Sequence, residues 1–216
     1  MCIRDSTMAG LAFRLRKTAL SARSTKSMKR SIRSSSPLCE QKRSLRREKE
    51  RQTASLLPEY IKESDRAIIE KLLNLSEFEN AETVFLYYSV GREVSTTALI
   101  EKLLDEGRST ALPVSGNNGA MSFYPVIGKD TLRPGKFGIP EPPVTREVRP
   151  GAKDIIIVPA LCCDRYGNRL GHGAGYYDRY LAHSEAFSVC LCRKALLEEK
   201  LPTEDTDIAV SLVLSD

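Results

Sequence analysis

The residues best suited to chemistry lie late in the chain, in Gly167-Asn168-Arg169-Leu170-Gly171-His172-Gly173-Ala174-Gly175-Tyr176-Tyr177-Asp178-Arg179. Gly171, Gly173 and Gly175 alternate, so the backbone can approach a ligand closely and turn its N–H groups inward. A helix opening behind them at about Tyr176 adds partial positive charge, and the combination suits a phosphate. Arg169 adds a full charge, Asp178 offers a hard oxygen ligand for a metal ion, and Tyr176 and Tyr177 add a flat apolar wall. The spacing is neither G-x-x-x-x-G-K-[ST] nor G-x-G-x-x-G. A glycine-rich strand-to-helix turn would look similar; the charged and aromatic company is what points to function. One of the two tyrosines is expected to be core packing.

Elsewhere the inventory is cationic and acidic rather than nucleophilic. Lys42, Arg43 and Arg46 form a basic run that, taken alone, reads as a solvated helix face. Glu93 reads as an acid favoured in the first turn of a helix, and Asp207, beside Glu204 and Asp205, as an exposed acid. No Ser-His-Asp or Cys-His arrangement stands out, and His183 is given no role. The six cysteines (Cys2, Cys39, Cys162, Cys163, Cys190 and Cys192) form no C-x-x-C, and His172 and His183 are the only histidines. A zinc site is therefore not expected. The paired thiols inside apolar segments read as small buried hydrophobes of a reducing compartment.

These groups need a scaffold. Lys42–Leu57 has helical character and is stopped by Pro58; a second helix is expected from about Ser64, as N-cap, through Ile68, Ile69, Leu72 and Leu73. Thr83–Tyr88 and Asp154–Pro159 are apolar throughout, the mark of strands buried on both faces in a parallel sheet. Between them Ser95-Thr96-Thr97 opens a helix that closes at Gly107, followed by short strands at Ser109–Pro113 and Met121–Tyr124. A helix from Tyr176, a strand at Ser188–Cys192 and a last strand near Ile208–Leu212 complete the pattern. Strand and helix in alternation predict an α/β three-layer α/β/α sandwich around a mostly parallel central sheet. The Pro-rich stretch 135–151 reads as an ordered surface loop.

Composition agrees with one domain. The 216 residues (24.1 kDa) are 41% hydrophobic and 28% charged, which excludes disordered, collagen-like and coiled-coil chains. No apolar run approaches the roughly 20 residues that span a bilayer. Residues 1–41 hold nine Lys or Arg against two acids, so the remaining 24 basic and 26 acidic groups leave a net charge of −2 on the rest. A near-neutral domain argues against a nucleic-acid-binding surface. Met8–Pro37, rich in Arg and Ser and without an acid, reads as an organellar transit peptide. The expected organisation is a leader over 1–40 and a single domain over 41–216. The leader's arginines lean towards the mitochondrion; a plastid, or the cytoplasm if the leader is no signal, are the alternatives.

The segment RLGHGAGYYDR behind a buried strand ending in Pro resembles the 5-formyltetrahydrofolate cyclo-ligase (5,10-methenyltetrahydrofolate synthetase) family. Further matches follow in order: Lys42-Arg43-Ser44-Leu45-Arg46; Tyr88-Ser89 with Glu93-Val94-Ser95-Thr96; Met121-Ser122-Phe123; Gly138-Ile139-Pro140-Glu141-Pro142; and Leu201-Pro202 with Asp207-Ile208. The resemblance covers roughly residues 41–213. Cys163, His172, Ala174 and Phe137 depart from the family's commoner residues. The resemblance implies a Rossmann-like sandwich of the kind shared with sugar-phosphate isomerases and CoA transferases.

It also implies a reaction: 5-formyltetrahydrofolate and ATP become 5,10-methenyltetrahydrofolate, ADP and phosphate. The formyl oxygen is phosphorylated, N10 closes the ring, and phosphate departs. Such a site needs cations and Mg²⁺ around the γ-phosphate and no protein nucleophile. Carried over by position, Lys42, Arg43, Ser44, Leu45 and Arg46, with Arg169, Leu170, Gly171, His172, Gly173, Ala174, Gly175, Tyr176 and Tyr177, would bind ATP. Arg46, Tyr88, Glu93 and His172 to Tyr176 would contact the folate, and Asp178 and Asp207 would hold Mg²⁺. The implied enzyme uses small-molecule substrates, works as a monomer, and needs no nucleic acid or membrane. Two other readings stand beside it. One is a non-catalytic module holding single-stranded nucleic acid on tyrosines and backbone charges; the other is an isomerase or acyl-CoA transferase relative, by fold analogy alone.

Overall fold

The computed structural model describes residues 36–216, so the expected transit peptide and most of the 1–40 leader lie outside the described residues. Ser36 caps the first helix by accepting from the Cys39 N–H at 3.2 Å, with Pro37 in the first turn, where its missing N–H costs nothing. Helix α1 (Pro37–Ser55) is followed by α2 (Pro58–Leu73) and a single turn, α3 (Ser76–Glu79). The chain then continues through β1 (Val84–Phe85), α4 (Thr97–Asp105), β2 (Thr110–Ser115) and β3 (Met121–Pro125). Two short ribbon strands, β4 (Arg133–Pro134) and β5 (Pro140–Glu141), precede β6 (Ile155–Val158). Ribbon strands β7 (Cys162–Cys163) and β8 (Arg169–Leu170) lead into α5 (Tyr176–Leu181), and β9 (Phe187–Leu191) and β10 (Leu212–Leu214) end the chain.

The central sheet has the order β10-β9-β6-β1-β2-β3. All neighbours are parallel except β3, which pairs antiparallel with β2 at one edge. Successive strand residues point to opposite faces. Val84, Leu86, Ile155, Ile157, Val189 and Leu191 meet Ile68 and Leu72 of α2 and Leu99, Ile100 and Leu103 of α4 on one side. Phe85, Ile156, Val158 and Cys190 meet Leu181 of α5 on the other, with Leu45 and Leu56 from α1 and its C-terminal cap packed against them. Two cores on one sheet make the three layers the sequence predicts. Cys162, Cys163, Cys190 and Cys192 all sit in the second core, fully buried as expected of structural thiols.

Several boundaries differ from expectation. The first helix starts at Pro37 rather than Lys42, because Ser36-Pro37 is a capping signal. The second starts at Pro58, whose ring opens a helix as readily as it ends one. Ser64 is therefore not a cap. It is a buried mid-helix residue whose hydroxyl donates to the Asp216 carboxylate at 2.9 Å. The ladder of β1 is only two residues long. The last strand is Leu212–Leu214, not 208–212, because Leu201, Asp207 and Ile208 are held by Asp164, Lys42, Arg169 and Asp178 instead of by a strand ladder. Among the described residues no helix is long and apolar enough to cross a membrane.

Candidate active site

From β1 the chain steps to β2 on one side; β6, β9 and β10 are then laid down on the other. The carboxyl ends of β1 and β6 thus flank the point where strand order reverses, the usual ligand position in such sheets. Helix α1 crosses this end. Lys42, Arg46, Lys49, Glu50 and Thr53 recur at spacings of three and four, so they share one helix face. Lys42 and Lys49 are buried although α1 is otherwise mostly solvated, which shows that this face is docked.

What α1 docks on is the glycine loop. Arg46 Nε donates to the Gly171 carbonyl oxygen at 2.8 Å. At Gly173 (φ +94°) the backbone conformation favours glycine, and a Cβ there would stand 3.2 Å from the Arg46 guanidinium carbon, a tight contact that a small shift of the arginine would relieve. Gly175 (φ +66°) is the left-handed N-cap of α5. Gly171, in contrast, is not left-handed and has open space around it. Arg179 ties the loop to the β2–β3 turn by donating to Ala174 O and Gly119 O, each at 2.7 Å. Helix α5 has only six residues, so its dipole is a smaller source of positive potential than the sequence suggests. Full positive charge reaches the loop from two guanidinium groups, Arg46 at Gly171 and Arg179 at Ala174.

Arg169 has a different position from the one expected of a free phosphate ligand. Its side chain is 4% exposed, pairs with Asp178 Oδ1 at 3.0 Å, and also donates to the Ile208 carbonyl. Asp178 Oδ1 in turn accepts from the Ile208 N–H at 3.3 Å. Asp207 Oδ2 takes the Lys42 ammonium at 2.5 Å and the Glu204 N–H at 2.7 Å. The two expected metal carboxylates are linked only through adjacent residues 207 and 208, and each is paired with a base. Arg43 and Ser44 are exposed and lie around the helix from the docked face, while Leu45 packs into the second core.

Of the two tyrosines, Tyr177 is the packing one: it lies against the second core, and burial raises its hydroxyl pKa well above the ordinary value, with Glu93 adding to the rise. Tyr176 is half-exposed, with the Arg179 guanidinium 5.8 Å from its ring centre.

Beside the loop, a cavity of about 250 Å³ opens between α1 and the strand ends. Glu50, Thr53, Val90, Glu93, His172 and Arg193 contribute its polar and turn-borne walls; Val94, Leu161, Leu191 and Leu196 contribute apolar ones. Glu93 accepts from the Val90 N–H at 2.8 Å and stands 3.9 Å from His172 Nε2. Burial raises its pKa above the usual carboxylate value, a shift that the Val90 bond and His172 partly offset. Two buried polar atoms, Thr53 Oγ1 and Arg193 Nε, have no hydrogen-bond partner among the described residues, and both belong to residues lining this cavity. Each has almost no accessible surface, so both lie within the wall of the cavity rather than on its face. Tyr88 does not share the cavity with Glu93; it lines a second one, with Thr97, Lys129 and Arg133.

Three residues escaped sequence reasoning. Lys49 is buried and pairs with Glu198 at 2.5 Å. Asp164 is fully buried and accepts from the N–H groups of Tyr166, Asn168 and Leu201 and from the Asn168 amide, at 2.9–3.0 Å. Burial alone would raise its pKa, but these bonds outweigh it and hold the carboxyl below the ordinary value. Arg193 is 1% exposed and grips the turn that carries Glu93. Asp164 precedes a Gly-containing turn, a weak signal for such a hub; the buried basic residues carried none.

The model of the 5-formyltetrahydrofolate cyclo-ligase family matches residues 25–216, beginning inside the segment read as leader. The chain is 36% identical to the 5-formyltetrahydrofolate cyclo-ligase of Mycolicibacterium smegmatis over 167 residues, covering 74% of this chain and 86% of that one. With the enzyme of that name from Escherichia coli it shares 32% over 171 residues, 74% and 92% of the two chains. Among solved structures, Aquifex aeolicus 5,10-methenyltetrahydrofolate synthetase superposes with a TM-score of 0.72 at 33% identity, covering 80% of this chain and 88% of that one.

Proposed function

The chain belongs to the 5-formyltetrahydrofolate cyclo-ligase family, and from that premise we propose how its residues carry the family's reaction. The enzyme converts 5-formyltetrahydrofolate to 5,10-methenyltetrahydrofolate with ATP, releasing ADP and phosphate. ATP phosphates lie along the 171–175 loop and are met by Arg46 from α1. The folate lies beside them, with its ring system in the cavity that Glu93 and His172 line. The observation that carries this reading is the bond from Arg46 Nε to Gly171 O, which fixes a helix-borne cation against a phosphate-compatible loop 125 residues away.

The chemistry follows from that juxtaposition. The formyl oxygen is a poor leaving group until it is phosphorylated, so the site's task is to set this oxygen in line with the γ-phosphorus and neutralise the charge that develops. Arg46 supplies fixed positive charge, and Lys42 stands one turn earlier on the same face. The cavity walls keep the folate oriented so that N10 reaches the activated carbon before water does. No protein nucleophile is required.

Asp178 and Asp207 fit Mg²⁺ by donor chemistry. Their described bonds fall on Oδ1 of Asp178 and Oδ2 of Asp207, so each has a second oxygen outside those bonds. Mg²⁺ is commonly held by one or two carboxylates together with substrate phosphates. When bound, it would neutralise phosphate charge.

The enzyme acts as a monomer, binds no nucleic acid, and is addressed to the mitochondrion by its leader. Salt-dependent oligonucleotide binding, a dimer by light scattering, or a leader fusion that stays in the cytosol would each reject the corresponding part. The central test is direct. Purified protein with 5-formyltetrahydrofolate, Mg²⁺ and ATP should generate the near-ultraviolet absorbance of the methenyl product. The signal should vanish without ATP and fall severely in Asp178→Ala. Robust product formation without ATP would overturn the mechanism.

A further inference from the structure

Arg193 stands two residues beyond the end of β9 and is not among the residues assigned to phosphate or metal. Its side chain is 1% exposed, in a place where an aliphatic residue would pack at far lower desolvation cost. The guanidinium pairs with Asp65 of α2 and reaches the turn after β1 at two successive carbonyls. NH1 donates to Arg92 O at 2.8 Å and NH2 to Glu93 O at 3.1 Å. Asp65 also accepts from the Ser95 N–H at 3.3 Å, on the far side of the same turn. Arg92, for its part, donates to Leu56 O at 2.8 Å at the end of α1. The turn is thus pinned to α1, α2 and the end of β9, and Glu93 is the residue of the turn whose carboxyl faces His172. Among the described residues none of the Arg193 bonds reaches the 167–178 loop.

We propose that Arg193 is a positioning residue for folate recognition: it holds the 90–94 turn so that Glu93 presents its carboxyl to the cavity. This rests on the reading that Glu93 faces the folate. A rigid guanidinium fork can satisfy two carbonyls and a carboxylate at once; a lysine ammonium at the same place keeps the charge for Asp65 but loses the planar fork. The effect belongs to the folate side of the site and leaves the phosphate side untouched, which a merely structural role would not do.

The test is a two-residue cycle by steady-state kinetics on the full chain: wild type, Arg193→Lys, Glu93→Gln and the double variant, with KM determined for each substrate. Arg193→Lys should raise KM for 5-formyltetrahydrofolate about tenfold, the scale of one lost charge-assisted hydrogen bond, with KM for ATP within about twofold of wild type on the same reasoning. In the Glu93→Gln background the same substitution should add almost nothing, since a positioning residue acts through the group it positions. Equal rises in both KM values, or an undiminished tenfold effect on top of Glu93→Gln, would overturn the proposal. Should Glu93→Gln alone leave the folate KM unchanged, the placement of Glu93 fails and the proposal falls with it. If Arg193→Lys does not fold, Asp65→Asn loosens the same grip, and its expected signature is a smaller rise confined to the folate KM; no such rise would refute the role.

Discussion

Arg46 offers the sharpest perturbation because one atom pair joins the two halves of the site. Arg46→Lys keeps the positive charge on α1 but removes the Nε donor that meets Gly171 O at 2.8 Å. It also removes the planar group against which Gly173 is closely packed. A hydrogen bond from a charged donor is worth about 1.5–3 kcal/mol. If that bond holds the loop in its ATP-binding shape, the loss appears as a fall in kcat/KM for ATP of about 10- to 150-fold, at roughly 1.4 kcal/mol per decade. The thermal midpoint should move little, because the residue is half-exposed and Leu45 and Leu56 still dock α1 on the second core. The assay is methenyl product formation with ATP varied at saturating 5-formyltetrahydrofolate, alongside calorimetric melting. Activity within threefold of wild type would refute the reasoning, and so would a loss matched by collapse of the fold.

The alternating glycines should separate by cause. Gly173→Ala places a side chain at φ +94° beside Arg46, a strain of about 1–2 kcal/mol, and should lower the melting midpoint by about 2–8 °C. Gly171→Ala meets open space at an ordinary φ, so its midpoint should be unchanged while KM for ATP rises several-fold; equal melting losses at the two positions would contradict the assignment. For Asp164, whose carboxyl titrates below the ordinary 3.8, the unfolded chain binds the proton more tightly than the folded one. Its ionised form therefore stabilises the fold above about pH 4 and loses that contribution as the pH falls through the lower folded value. Asp164→Asn should thus melt several degrees lower at pH 7, with the gap closing towards pH 3; a gap that widens in acid would show that the carboxylate does not act this way.

The amino-acid order by itself decided the fold class and the kind of site. Thr83–Tyr88 and Asp154–Pro159 are apolar at every position, and only a sheet covered on both faces can bury such runs, so the three layers followed from composition and spacing alone. The glycine loop was equally legible as a tight strand-to-helix turn, since alternating glycines and the helix start behind them are local features. Ser36-Pro37 and Pro58 were readable signals too, although proline's ability to open a helix competes with its ability to end one. What remained for tertiary structure to decide was every interaction across long sequence separation. Arg169 and Asp178 read as separate ligands, yet in the fold they pair with each other and with Ile208. Tyr88 and Glu93 sit five residues apart and line different cavities, because the chain turns sharply at the end of β1. Arg193 and Lys49 carried no signal in the sequence; each is buried against a carboxylate, Asp65 and Glu198, that lies 128 and 149 positions away. Local pattern reports which groups are available, but the cost of burying a charge is settled only by the partner that packing delivers.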